Sequence, residues 1–160
     1  LYATLLASSM DSKTTDAAHP CFVEIIKQLS SDEAKLLVCF MGANETPVIN
    51  IKNYREDNSG GRVYYQHFTN IGEPLGLKNT NLLSTYWDNL IRLGLVKAPD
   101  NFVLLGDDVY KGLEEDPAVL AMKKLLDGLE GRKSKIVKTA ILLTDLGRQF
   151  IDICVKDHRV

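Results

Sequence analysis

Two short segments decide how this chain is expected to fold: residues 90–96 are LIRLGLV, and residues 143–150 are LTDLGRQF. In the first segment, apolar residues at helical spacing lead to Gly94, and glycine readily adopts the left-handed turn that ends many helices. In the second segment, Thr144 follows an apolar run, and its hydroxyl can cap a new helix. The two segments therefore predict a helix that ends at Gly94 before a strand, and a late strand that leads into a closing helix.

The closing helix contains a glycine, Gly147. A glycine inside a helix costs about 1 kcal/mol relative to alanine. We therefore expect the backbone of a neighbouring element to pack closely against it, the alternative being a tolerated surface glycine. We also expect Leu146 and Phe150 to pack against Leu36 or Phe40 of an earlier helix, because each amphipathic face needs a partner.

Upstream of Gly94, residues 79–93 have the pattern of a long amphipathic helix. Polar residues 79–81 can cap its start, and the apolar residues that follow have a helical period. Trp87 flanks this apolar stripe. The position favours a place in the core over a role as a surface anchor for a protein partner.

The first half of the chain predicts two helices followed by a β-hairpin. Pro20 can open the first helix, and Ser30 with Glu33 has the pattern of a capping box at the start of the second. Extended segments then flank a turn at residues 57–61. Residues 1–10 resemble the end of an amphipathic helix, and the chain has no initiator Met, so we expect a truncated fragment.

Residues 107–131 have the pattern of a charged insertion that contains one helix. An Asp-Pro pair at residues 116–117 is typical of a helix start. Short extended pieces are expected before the insertion, at residues 95–97 and 102–105, and a longer strand after it, at residues 135–143. The apolar residues expected on the buried face of the inserted helix are Ala118, Met122, Leu125 and Leu129.

This order of elements resembles winged helix-turn-helix domains. It predicts an α+β, mainly helical fold, with a winged helix-turn-helix-like domain at residues 20–160 and a helical insertion in the wing region. Residues 1–19 are expected to be an N-terminal helix remnant and a connector. The helix before Gly94 takes the place of the recognition helix, and the segment after the insertion takes the place of a wing strand.

Composition and motifs argue against several functions. The 160 residues include 19 basic and 21 acidic side chains, a net charge of −2 that does not favour nucleic acid. The three cysteines match neither a disulfide framework nor a zinc site, and they suggest reduced thiols in the cytoplasm. No apolar run is long enough for a membrane span. Phosphate-loop, dinucleotide and nucleophile-elbow motifs are missing, so we expect no enzyme, no cofactor and no metal.

The alternative function is DNA binding, which would use named residues of the predicted recognition helix and wing. Asn, Ser and Thr side chains on a recognition helix can contact base edges, and wing cations can contact phosphates. Asp88 argues against this use, because it would repel a phosphate and pair with Arg92 one turn later. The candidate recognition surface comprises Thr80, Asn81, Ser84, Thr85, Asn89 and Arg92, and the candidate wing cations are Arg132, Lys133, Lys135 and Lys138.

Nearly the whole chain resembles one family. Residues 5–11 (LLASSMD), 19–34 (HPCFVEIIKQLSSDEA) and 143–150 are similar to the Abi-alpha family, bacterial proteins named for abortive phage infection. The resemblance implies a bacterial cytoplasmic protein and supplies no catalytic residue. We therefore expect a non-catalytic recognition module with a protein partner, linked to abortive phage infection. The alternative is a winged-helix transcriptional regulator that binds DNA; oligomeric state stays open.

Overall fold

The computed structural model describes residues 20–106 and 108–155, which contain six α-helices and four β-strands. The helix remnant predicted at residues 1–19 lies outside the described residues. The helices are α1 (Cys21–Gln28), α2 (Ser31–Leu36), α3 (Leu83–Arg92), α4 (Lys111–Glu114), α5 (Pro117–Asp127) and α6 (Asp145–Phe150). The strands are β1 (Glu45–Arg55), β2 (Gly61–Phe68), β3 (Val96–Lys97) and β4 (Arg132–Leu143).

Single turns of other helix types extend three of the helices. A 3-10 turn, Leu37–Phe40, follows α2, and another, Thr80–Leu82, precedes α3. A π-type turn, Ile151–Val155, follows α6. The predicted polar cap at residues 79–81 is wrong in detail, because the Asn79 side chain makes no capping hydrogen bond and the chain enters α3 through the 3-10 turn.

The four strands form one curled antiparallel sheet in the order β2-β1-β4-β3. The central pair, β1 and β4, is in register from Glu45 opposite Leu142 to Arg55 opposite Arg132. Strand β2 pairs with the other edge of β1, and the register shifts on either side of Ile51, as at a β-bulge. This sheet, half of a barrel in shape, is the frame on which the helices pack.

The expected mainly helical winged helix is therefore wrong. That expectation needed wing strands at residues 95–97 and 102–105, but only Val96–Lys97 joins the sheet, and residues 102–105 form no strand. The strands that build the sheet are β1 and β4, of 11 and 12 residues. Strand β1 has buried side chains on both of its faces, so no simple alternation of polar and apolar residues marked its length.

Two apolar clusters form the core. The larger collects buried side chains of α1, α2, α3 and α6, among them Phe22, Leu36, Trp87 and Phe150. The smaller collects residues of β1, α4 and α5. Strand β1 contributes to both clusters, because Val48 belongs to the larger and its neighbours Ile49 and Ile51 to the smaller. The sheet is therefore covered by helices on two faces.

The insertion builds the second cluster. Helix α5 begins as predicted, with Asp116 capping the Ala118 amide and Pro117 in its first turn. Of the predicted buried face, only Met122 packs against the smaller cluster, whereas Ala118, Leu125 and Leu129 are exposed. Val119 and Leu126 are the buried residues of the helix, so the buried face is rotated around the helix axis. The insertion thus covers the sheet and does not extend a wing.

The predictions that depend on contacts between residues close together in sequence are confirmed. The Ser30 hydroxyl accepts the Glu33 amide while the Glu33 carboxylate accepts the Ser30 amide, which is the predicted capping box. Thr144 caps α6 through the Gly147 amide, and Gly94 has the expected positive φ of 74°. The expected place of Trp87 in the core is also confirmed, since its side chain is fully buried.

Candidate functional site

The predicted recognition surface is divided between two environments. At the end of α3, Asn89 donates hydrogen bonds to the Gln28 carbonyl and to the Glu33 carboxylate, the latter at 2.7 Å. Arg92 donates to the side chains of Asn89 and Gln28. These contacts hold α3 against α1 and α2. Thr85 is exposed and Ser84 half-buried on the same helix.

The predicted pair between Asp88 and Arg92 does not form. The Arg92 guanidinium contacts Asn89 and Gln28, and Asp88 makes none of the ion pairs found among the described residues. The charge of Asp88 acts on His67, where burial lowers the pKa of the imidazole and Asp88 partly opposes that shift. The side-chain amide oxygens of Gln28 and Asn89 accept hydrogen bonds from Arg92. Helical spacing alone therefore did not determine the partner of Arg92.

The four candidate wing cations lie on the part of β4 that pairs with β1, beyond the short stretch where β3 pairs with β4. Lys138 forms an ion pair with Glu114 at 3.2 Å, and its ammonium stands 5.6 Å from the centre of the Tyr110 ring. Lys135 lies directly opposite Lys52 on β1, and Arg132 opposite Arg55, with Lys133 between them in sequence. These cations belong to the central strand pair, whereas Arg92 is held against α1.

The remaining two predicted residues, Thr80 and Asn81, line a pocket of about 300 Å³, which we call the aromatic pocket. It opens where the end of β2 and the loop before α3 meet the start of α5. Its polar and aromatic lining residues are Tyr65, Phe68, Thr69, Asn70, Glu73, Thr80, Asn81 and Asp116, and Gly72, Leu83, Ala118 and Met122 complete the wall.

Two aromatic side chains form one side of this pocket. The Tyr65 and Phe68 rings lie edge to face, with centroids 5.7 Å apart and an interplanar angle of 71°. The two residues are three apart on β2, but a register shift in the strand brings them to the same side. Burial raises the pKa of the Tyr65 phenol, so the ring carries no charge at neutral pH.

Two carboxylates face the aromatic side, and none of the lining residues is Lys, Arg or His. Asp116 accepts the Ala118 amide at 2.9 Å and so caps α5. Glu73 is exposed and takes part in none of the ion pairs of the described residues. The lining is therefore acidic, although the surface of the chain as a whole is nearly balanced in charge.

A buried hydroxyl at the pocket wall has no partner. Thr69 is only 2% exposed, and its Oγ1 makes no hydrogen bond. A buried hydroxyl left without a hydrogen bond costs about 1–3 kcal/mol. Polar groups of this kind are uncommon in native proteins and are found where a ligand or a water completes them.

The loop that carries Glu73 is held in place by Asp32. The Asp32 carboxylate accepts hydrogen bonds from the amides of Lys78 and Asn79 and from the Tyr86 hydroxyl. Asp32 is only 3% exposed. Burial raises the pKa of the Asp32 carboxyl, but these hydrogen bonds lower it by more, so that the pKa lies below its ordinary value. The Lys35 ammonium adds a hydrogen bond to the Gly76 carbonyl. The pocket rim is thus fixed to α2.

A second cleft of about 340 Å³ lies beside α3, between the sheet and residues 98–101. His67 lines it with a positive φ of 55°, and its Nδ1 is buried without a partner. Burial lowers the pKa of His67, and the nearby charge of Asp88 opposes this. Lys52 and Asp100 also line the cleft, so its walls carry both signs of charge.

The sequence alone indicated neither cavity. Asp116 was predicted only as the start of a helix, and that local interpretation is confirmed. The pocket arises only because the sheet brings three separate segments together. The one helpful signal was the placement of Thr80 and Asn81 among candidate binding residues.

The described part of the chain contains neither a metal-binding cluster nor a membrane-spanning helix. Over residues 20–106 and 108–155, no three His, Cys, Asp or Glu side chains are grouped so that they could hold a metal ion. No helix in the described part of the chain combines the length and apolar composition that a membrane crossing requires. His19, which the sequence places beside Cys21, lies outside the described residues.

Comparisons with known proteins give one family and one fold. A family model described as abortive infection alpha matches residues 1–154. No curated protein matches the sequence. Among solved structures, the chain is similar to an uncharacterized protein from the hydrocarbon-degrading marine bacterium Alcanivorax borkumensis SK2, with 20% identity and a TM-score of 0.55 over 92% of this chain and 99% of that one. At that identity the likeness concerns the fold alone.

Proposed function

The chain belongs to the abortive infection alpha family, and from that premise we propose that it is a non-catalytic recognition module of the abortive response to phage infection. In this proposal the domain works in the bacterial cytoplasm, and it acts by binding a ligand or a protein partner and not by turning over a substrate. The aromatic pocket is the site that we assign to this recognition.

The observation that carries the proposal is the composition of the pocket. Its lining offers aromatic rings, hydroxyls, amides and carboxylates, which are groups that bind, but it includes no Cys, Ser, Lys or His. Nucleophilic catalysis needs an attacking group hydrogen-bonded to a base. The one capping carboxylate, Asp116, bonds instead to a backbone amide.

The thiols support the same proposal. Burial raises the pKa of Cys39 and of Cys154 to about 11 in each case, so that both are protonated at neutral pH. The thiolate is the form that attacks an electrophile. Neither residue lines the aromatic pocket.

The regulator alternative has lost its basis. It depended on a winged helix, and the fold is a half-barrel sheet covered by helices. Asn89 and Arg92, which were to contact base edges, make hydrogen bonds to α1 and α2.

Phage plating on cells that express the full-length protein tests this function. Tyr65→Leu and Glu73→Gln, both in the pocket, should raise phage plating by about tenfold or more, as expected for the loss of one important binding contact. Tyr64→Leu and Glu130→Gln are the matched controls, because both residues are exposed and lie outside the pocket. Unchanged protection in the pocket variants, at equal protein level, would contradict the proposed role of the pocket.

A further inference from the structure

We propose that the aromatic pocket binds a small organic cation, a quaternary or protonated amine held between the Tyr65 and Phe68 rings and the Glu73 carboxylate. This inference rests on the proposed function and names the chemical class of the ligand. Two independent observations support it: the geometry of the rings and the distribution of charge.

The rings provide the first support. Aromatic faces attract cations through their quadrupole, and this attraction is strongest where water is excluded. Two rings set at 71° to each other form adjacent walls of a corner, with centroids 5.7 Å apart. A compact ammonium group can contact both walls of such a corner at once. Two parallel rings would offer only one face.

Charge provides the second support. The lining contains Glu73 and Asp116 and no basic residue, so an anionic ligand would meet repulsion without a counter-ion. The N-terminus of α5, which also faces this region, carries a partial positive charge. Asp116 offsets that charge, because it takes the Ala118 amide. Glu73 is then left as a counter-ion for the ligand.

Two polar residues on the pocket wall suit the rest of such a ligand. Thr80 and Asn81 lie on the same lining and could orient the remainder of the ligand. A purely apolar ligand would leave these groups unpaired, which costs affinity.

Calorimetric titration of the full chain with choline tests the proposal. The comparison ligand is the neutral isostere of choline, in which a quaternary carbon replaces the quaternary nitrogen. We expect choline to bind about tenfold more tightly than the isostere, the size of effect expected when an ammonium group meets an aromatic site away from water.

Two variants locate the site. Tyr65→Leu keeps an apolar side chain but removes one ring, and Glu73→Gln keeps the size of the side chain but removes the charge. Each should weaken choline binding at least several-fold. Tyr64→Leu and Glu130→Gln should bind choline as the unaltered chain does. Because Glu73 is exposed, the Glu73→Gln protein is expected to fold even if Tyr65→Leu does not.

Three results would overturn the proposal: equal binding of choline and its isostere, no binding of choline to the folded chain, or tighter binding of a methyl glucoside than of choline. The failure of this inference can be told from that of the proposed function. If choline does not bind but the pocket variants still lose phage protection, the pocket serves recognition of another ligand class.

Discussion

At the scale of single residues, Gly147 shows how one backbone contact constrains the sequence. A Cβ at this position would lie 2.0 Å from the Leu95 carbonyl oxygen and 2.9 Å from a Leu143 methyl carbon. Real contacts are never so short, so the closing helix could not sit against the turn after α3 with any other residue. The close approach predicted from the cost of a helical glycine is thus confirmed.

Gly147→Ala is therefore expected to destabilise the protein by about 3 kcal/mol, because the backbone at Leu95 must move to admit the methyl group. Chemical denaturation measures this loss. Gly112→Ala in α4 is the matched control, since no atom lies within 4 Å of its Cβ position. The control should gain up to about 1 kcal/mol from helix propensity. Equal effects of the two substitutions would show that the contact at Leu95 is not tight.

Asp32 gives the stability of the chain a dependence on pH. The pKa of Asp32 is lowered in the folded protein, whereas an Asp in an unfolded chain has a pKa of about 3.9. The stabilisation is therefore present at neutral pH and is lost as the pH falls through the folded pKa. We expect the free energy of unfolding to decrease below about pH 4, and Asp32→Asn to reduce that decrease.

The same substitution should cost about 2–4 kcal/mol at neutral pH, because one carboxylate accepts two amides and a hydroxyl and an amide side chain cannot replace all three. Urea titrations between acidic and neutral pH measure both effects. Asp57→Asn is a control for the loss at neutral pH only, because hydrogen bonds from Ser59 in an exposed turn also lower the pKa of the Asp57 carboxyl. An unchanged pH profile in Asp32→Asn would contradict the role of this carboxylate.

At the scale of elements, α3 is a structural helix and not an exposed recognition helix. Its final turn is bound to α1 and α2 through Asn89 and Arg92, and Trp87 lies wholly in the core. Of the β4 cations, Lys138 is paired with Glu114, while Lys135 and Arg132 lie opposite Lys52 and Arg55 of β1. Arg92 is engaged by Asn89 and Gln28.

Duplex DNA should consequently bind with no better than non-specific affinity, in the range of about 10⁻⁴ to 10⁻⁶ M at physiological salt. The double variant Arg92→Glu and Lys135→Glu should leave any duplex-DNA affinity at this weak, non-specific level. Fluorescence anisotropy over a salt series provides the measurement. Nanomolar, sequence-dependent binding that the double variant abolishes would show that α3 and β4 do contact DNA.

Elements were predicted from the sequence where their signals are local, and not where they depend on distant pairing. Two of the predicted contacts, Ser30 with Glu33 and Thr144 with Gly147, lie within one helical turn. The residue types at these positions are therefore sufficient to predict the contacts. The pairing of Ile49 with Lys138 depends on segments far apart in the chain. The fold class and the aromatic pocket were missed for that reason, since both result from how β1 and β4 meet.

At the scale of the whole molecule, Phe150 connects the ends of the helical layer. Its fully buried ring lies edge-on to Phe22, with centroids 5.3 Å apart, in a cluster that also contains Leu36 and Phe40. Leu146 and Phe150 were expected to pack against Leu36 or Phe40. Phe150 shares this cluster with both residues, and its ring contact is with Phe22 of α1. One side chain therefore links the first described helix to the last.

Phe150→Ala should destabilise the whole domain by about 3–5 kcal/mol, since it empties an aromatic site in the larger cluster. Thermal or urea unfolding, followed by circular dichroism, measures the loss. Phe102→Ala is the control, because Phe102 is 38% exposed and outside both clusters. A loss below about 1 kcal/mol would mean that the cluster refills the space or that α6 is loosely attached.

The register of β1 with β4 also governs how the chain can fold as it is synthesised. Strand β1 is complete at Arg55, but its main partner does not begin until Arg132. Until then β1 has only β2 to pair with, and a two-stranded hairpin is marginally stable in water. Such long-range pairing slows folding and leaves apolar strand faces open for that interval. We therefore expect fragments that stop before β4 to aggregate and to depend on chaperones, although they contain most of the helices.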